Sequence, residues 1–126
     1  MSSALRLLIV DDSNVIRSRI ARVVNDPRMP LLQIVGLAKD GLEAVKVFEQ
    51  TKPHLVTMDL TMPKLDGLQC IEQLIRLNHK TNILVVSALN DKITAIQALK
   101  KGARGFLHKP FSDQQLINAF NELVSI

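Results

Sequence analysis

Apolar positions along the chain alternate between two periods. Leu5–Val10, Leu32–Ala38, His54–Met58, Asn82–Val86 and Gly105–His108 are short runs rich in aliphatic and β-branched residues, the pattern of β-strands. After each run, apolar residues recur every three or four positions, the spacing of one helix face. These stripes are Ile16, Ile20, Val23 and Val24; Ala44, Val45 and Phe48; Leu68, Ile71, Leu74 and Ile75; Ile93 and Ile96; and Leu116, Phe120, Leu123 and Val124. Start signals agree: Asp40 precedes Glu43, Asp66 precedes Gln69 and Ser112 precedes Gln115, each by three residues, the spacing of a capping box or a close relative. Pro27 and Pro30 close the first helical region, and Gly102 stops the fourth. Five strand–helix units in succession predict an α/β fold, with a parallel sheet covered by helices on both faces. The unbroken run Leu7-Leu8-Ile9-Val10 fits strands buried on both sides.

Composition narrows this little. The 126 residues suit one domain, spanning 1–126. With 47% hydrophobic and 22% charged residues, disorder is excluded. No apolar run approaches the roughly 18–20 residues of a membrane span, and the N-terminus lacks a signal peptide's pattern, so no membrane insertion is expected. Cys70 is the single cysteine, so no internal disulfide forms, and a cytoplasmic protein is expected. Sixteen Lys and Arg against 12 Asp and Glu leave a charge of +4, which admits an anionic partner. The chain has no Trp or Tyr and no run of five like charges, which argues against direct nucleic-acid binding. Arg17, Arg19 and Arg22 read as the solvated side of the first helix.

The polar residues that follow the strands are more informative. Strand one runs into Asp11-Asp12, strand three into Asp59, strand four into Ser87, and strand five into Lys109-Pro110 after His108. Strand two contributes only Lys39-Asp40, as an outer strand would. In open parallel sheets, sites form beyond the carboxyl ends of the strands. Three crowded carboxylates need a cation, and hard oxygen donors suit Mg²⁺. A carboxylate is also a nucleophile toward phosphorus, and a Lys and a hydroxyl can hold phosphoryl oxygens. The set therefore suits Mg²⁺-assisted phosphoryl transfer onto an Asp. Taken singly, each residue has an ordinary reading: Asp12 or Ser13 as a helix cap, Asp59 as a turn residue, Ser87 as a cap, Lys109 as a surface lysine before a proline bend. Their coincidence at four strand ends favours one site.

With those residues in view, the sequence resembles the receiver domain of two-component response regulators, in particular the single-domain chemotaxis, or CheY, type. The matching segments are Leu8–Ser13, Val56–Gly67, Val85–Ala88 and Gly102–Phe111, spread over nearly the whole chain. The resemblance implies a doubly wound (βα)5 flavodoxin-like fold with strand order 2-1-3-4-5, the order for which CheY is a standard example. It implies that Asp59 is the phosphorylated residue. It also implies that Asp12, Asp59 and the Thr61 carbonyl ligate Mg²⁺, with Asp11 acting through water. Ser87 and Lys109 contact the phosphoryl group, and the Lys109–Pro110 bond is cis. Phe106 takes the aromatic switch position, without the hydroxyl of a tyrosine. The implied phosphodonor is a CheA-like histidine kinase. The implied target is a downstream protein such as a flagellar motor component, and a phosphatase is a further partner. The protein would be a monomer, and no enzyme beyond its own phosphorylation and dephosphorylation.

Output is expected through the fourth helix, fifth strand and fifth helix. There Lys92, Ala95 and Leu99 form a stripe opposite the core stripe of Ile93 and Ile96, and Phe106 shares a strand face with His108. His54, His79 and His108 lack ligand spacing, Cys70 reads as an inert thiol, and Met58 as core filling. Competing readings are a receiver cut from a larger regulator with an output domain, a stand-alone phosphorelay receiver, and an aspartate-nucleophile phosphatase of the haloacid dehalogenase type. The last expects an acid two residues beyond the nucleophile, where this chain has Thr61.

Overall fold

A computed structural model describes residues 4–62, 64–88 and 92–125; Met1, Ser2 and Ser3 of the N-terminus and Pro63 of the Val56–Gly67 segment lie outside them. The chain runs β1 (Leu5–Val10), α1 (Asn14–Val23), β2 (Leu32–Ala38), α2 (Gly41–Thr51), β3 (Leu55–Met58), α3 (Gly67–Leu77), β4 (Asn82–Ser87), α4 (Lys92–Lys100), β5 (Gly105–His108) and α5 (Asp113–Val124). All strand pairs are parallel, in the order β2-β1-β3-β4-β5, as the resemblance implies. β3 begins one residue later than the pattern predicts, and β4 extends one further, taking in Ser87. No described helix is long and apolar enough to cross a membrane.

Alternation along the buried strands divides the core in two. Leu7 and Ile9 face α1 and α5, packing with Ile20, Val23, Leu116 and Phe120. Leu8 and Val10 face α2, α3 and α4, packing with Ala44, Phe48, Ile71, Leu74 and Ala98. Each fully buried Leu or Phe contributes about 1.5–3 kcal/mol relative to exposure, so the sheet is fixed from both faces. The helix starts are set locally. Ser13, Asp40, Asp66 and Ser112 each accept a hydrogen bond from the backbone N–H three residues on, and Ser112 with Gln115 completes a reciprocal capping box. Gly102 ends α4 at φ +120°, a conformation open to glycine.

Two expectations fail here. On α4 the buried residue is Ala98, with Thr94 and Ala95 half-buried, while Ile93 is 70%, Ile96 51% and Leu99 48% exposed. Ile93 and Ile96 are therefore not core residues, and they share the outward side with Lys92 and Leu99. The small Ala98 side chain lets the helix lie close against the sheet with its large residues outward. Nor are the α1 arginines all solvated. Arg19 is half-buried, stacks 4.7 Å over the Phe111 ring and pairs with Asp113 at 3.3 Å, tying α1 to α5, while Arg22 stays exposed.

Candidate functional site

The sheet delivers the acidic residues to one edge by continuing its ladder past the strand ends. The Asp11 N–H donates to the Ala38 carbonyl at 3.0 Å, and the Asp59 N–H to the Val10 carbonyl at 3.0 Å. Their backbones are thus held by neighbouring strands, and Asp11 and Asp59 are buried while Asp12 is exposed. One ligand oxygen from each of the three carboxylates lies within 4.8 Å of the others. Lys109, only 17% exposed, reaches in from beyond β5: its Nζ is 2.8 Å from Asp11 Oδ2 and 3.8 Å from Asp59 Oδ1. The Lys109 N–H donates to the Ser87 carbonyl at 2.8 Å, which sets the end of β5 against the end of β4, where Ser87 is fully buried. The Lys109–Pro110 bond is cis. The surface-lysine reading of Lys109 therefore fails.

Burial raises the Asp59 pKa, and the charge of Asp11 raises it further, while Lys109 and the Thr61 N–H pull it down; the balance is about 6. One lysine thus does not neutralise the acids around it. The donor set is all carboxylate oxygen with the Thr61 carbonyl nearby in sequence, and it carries excess negative charge. That fits a hard divalent cation such as Mg²⁺, held by Asp11, Asp12 and Asp59.

Two contacts at the site are missing from the sequence reading. The Thr61 N–H and hydroxyl both donate to Asp59 Oδ1, at 3.3 and 3.4 Å. Arg17 Nη1 donates to the Asp11 carbonyl at 2.6 Å, so this half-buried arginine braces the acidic loop. No periodic signal separates Arg17 from the solvated residues of α1. The modest reading of Ser13 holds, since it caps α1. Asp40 stands apart from the cluster, capping α2 and pairing with Lys64 at 3.5 Å. The two residues of the expected strand face differ, for Phe106 is half-buried against the α2–α4 core and His108 is exposed. Met58 is fully buried core. Burial pushes the Cys70 thiol up to about 12, in keeping with an inert thiol.

Comparison with known proteins agrees with this geometry. The family model of the response regulator receiver domain matches residues 7–121. The chain is 36% identical over 118 residues to the chemotaxis protein CheY of Listeria monocytogenes, covering 94% of this chain and 97% of that protein. It is 40% identical over 111 residues to a protein-glutamate methylesterase/protein-glutamine glutaminase of Shewanella denitrificans, covering 86% of this chain but 28% of that one. Among solved structures, the CheX–CheY–BeF3–Mg²⁺ complex from Borrelia burgdorferi superposes with a TM-score of 0.90 at 27% identity, covering 97% of this chain and 90% of the other. The chain belongs to the response regulator receiver domain family, as a CheY-like member.

Proposed function

We propose that this chain is a phosphorylation-controlled binding module that takes a phosphoryl group from a histidine kinase onto Asp59. What supports it most is the placing of Lys109 Nζ 2.8 Å from Asp11 and 3.8 Å from Asp59 at the edge where three carboxylates converge. Asp59 attacks phosphorus with a carboxylate oxygen; a P–O bond forms as the P–N bond to the donor histidine breaks, and the histidine nitrogen takes up a proton. Lys109 supplies positive charge to the incoming phosphoryl oxygens, and Ser87 a hydroxyl. Asp11, Asp12, Asp59 and the Thr61 carbonyl would hold Mg²⁺, which when bound offsets the charge of the acids and the phosphoryl group.

The new charge and acceptor oxygens on Asp59 draw Ser87 toward them, and Phe106 on the adjacent strand turns inward. This biases the face of α4, β5 and α5, where Lys92, Ile93, Ile96 and Leu99 point outward, toward a partner. The protein acts as a cytoplasmic monomer, catalyses only its own modification and its reversal, and serves chemotaxis with a CheA-like donor and a target such as a flagellar motor component. A receiver within a larger regulator is the second reading, favoured by the match to 28% of the Shewanella methylesterase.

Incubation with acetyl phosphate and Mg²⁺, followed by intact-mass measurement, should show one phosphoryl adduct, absent in Asp59→Asn and lost on chelation. An undiminished adduct in Asp59→Asn sinks the assignment. Phe106→Ala should keep the adduct and lose phosphorylation-dependent partner binding.

A further inference from the structure

Every polar group of Asp11 is engaged. Its N–H donates to the Ala38 carbonyl, its Oδ1 accepts from the Ser13 N–H at 2.9 Å, its Oδ2 accepts from Lys109 Nζ at 2.8 Å, and its carbonyl accepts from Arg17 Nη1 at 2.6 Å. Asp12, next in the chain, is exposed, and the backbone on either side is what directs it. The Ser13 N–H belongs to the peptide group after Asp12, and Asp11 holds it. The Asp11 carbonyl belongs to the peptide group before Asp12, and Arg17 holds it. A residue has two soft backbone dihedrals, so fixing both flanking peptide planes fixes the direction of its Cα–Cβ bond. For Asp12 that direction brings a carboxylate oxygen within 4.8 Å of oxygens from Asp11 and Asp59.

The ordinary roles of a helix arginine do not account for this contact. Arg17 is the fourth residue of α1, and its side chain turns back past the start of the helix, where the dipole disfavours a cation. That start is already capped, by Ser13. Arg17 is half-buried and makes no ion pair among the described residues, so what it gives the acidic cluster is not a salt bridge. Its guanidinium forks: Nη2 donates to Asn14 Oδ1 at 3.3 Å while Nη1 holds the Asp11 carbonyl, which fixes the plane of the group.

We infer that Arg17 is a positioning residue for the metal: by holding the peptide group before Asp12, it presets that carboxylate as a ligand for Mg²⁺. This rests on the reading of the acidic edge as a Mg²⁺-dependent phosphoryl-acceptor site. Carboxylates already held together bind a cation more tightly than carboxylates that binding itself has to order. Arg17 therefore acts on the affinity for Mg²⁺ and not on the rate once Mg²⁺ is bound. Charge alone predicts the opposite sign, because a guanidinium near a cation site repels the cation.

The test is a Mg²⁺ titration of the ¹⁵N-labelled chain at fixed pH and ionic strength, followed by amide NMR because the chain has no Trp or Tyr to report binding. In the wild type the amides of residues 11–14 and 59–61 should shift and saturate. Arg17→Gln should raise the Kd for Mg²⁺ about tenfold, and Arg17→Lys, which keeps the charge but not the fork, by less, with the rest of the spectrum intact. Arg22→Gln removes the same charge from an exposed site on α1 and should leave the Kd unchanged. Adduct formation from acetyl phosphate should be slower in Arg17→Gln at limiting Mg²⁺ and reach the wild-type rate at saturating Mg²⁺. A Kd unchanged or lowered in either Arg17 variant overturns the assignment. So does an equal rise in Arg22→Gln, or a rate deficit that saturating Mg²⁺ leaves in place. A wild-type chain that binds Mg²⁺ but forms no adduct overturns the phosphoryl reading instead, and the Kd comparison still decides Arg17. A wild-type chain that binds no Mg²⁺ overturns both.

Discussion

Burial makes the charge of Asp59 costly. The folded state holds its proton to about pH 6, whereas an unfolded Asp releases it near 4. Stability from this group is therefore complete below about pH 4 and lost as pH rises through 6. In EDTA, Asp59→Asn should be more stable than the wild type at pH 7.5, by about 1–3 kcal/mol, with the gap closing at pH 4. Urea midpoints at the two pH values test this; a gap that does not change with pH contradicts it. Thr57 offers a simpler case. Its hydroxyl is buried on β3 without a partner. Thr57→Val keeps the shape and removes an unsatisfied group, so thermal unfolding should rise by the equivalent of about 1 kcal/mol. Asp11, Asp12, Asp59 and Lys109 were legible in the sequence because position after a strand fixes where a side chain emerges. Arg17 and the Thr61 hydroxyl were not, because their contacts depend on rotamers and loop path.

Gly67 opens α3 against the loop that carries Asp59. Its N–H donates to the Leu60 carbonyl at 3.1 Å, and a Cβ there would collide with the Asp59 carbonyl oxygen and the Leu60 Cα. Backbone cannot yield as a flexible side chain does. Gly67→Ala should cost about 1–3 kcal/mol and slow adduct formation by acetyl phosphate, because the helix displaces the acceptor loop. A full rate at reduced stability would show that the loop does not move. The caps at Asp40, Asp66 and Ser112 were readable, since capping is local chemistry at fixed spacing. The orientation of α4 was not. Ile93, Ile96 and Leu99 recur every three residues, and such a stripe reads alike whether it faces its own sheet or solvent. What turns the helix is Ala98, whose small side chain carries little signal in a hydrophobicity pattern.

Across the whole molecule, strand order decides what meets what, and order follows from the alternation of elements only once β2 is recognised as an edge. Lys39-Asp40 gave that cue, because β2 alone brings no candidate group to the acidic cluster. The same order places Asp11 and the lysine that faces it 98 residues apart in the chain. A ribosome therefore delivers all three carboxylates before the fifth strand exists. A nascent chain that has emerged only as far as β4 holds the three acids without Lys109, and β5 has only β4 to pair with. Seating that last edge strand brings in the lysine, while the cover over Leu7 and Ile9 is completed by α5, which follows it. The acidic edge thus gains its lysine only late in the making of the chain, and shorter copies present the carboxylates without it.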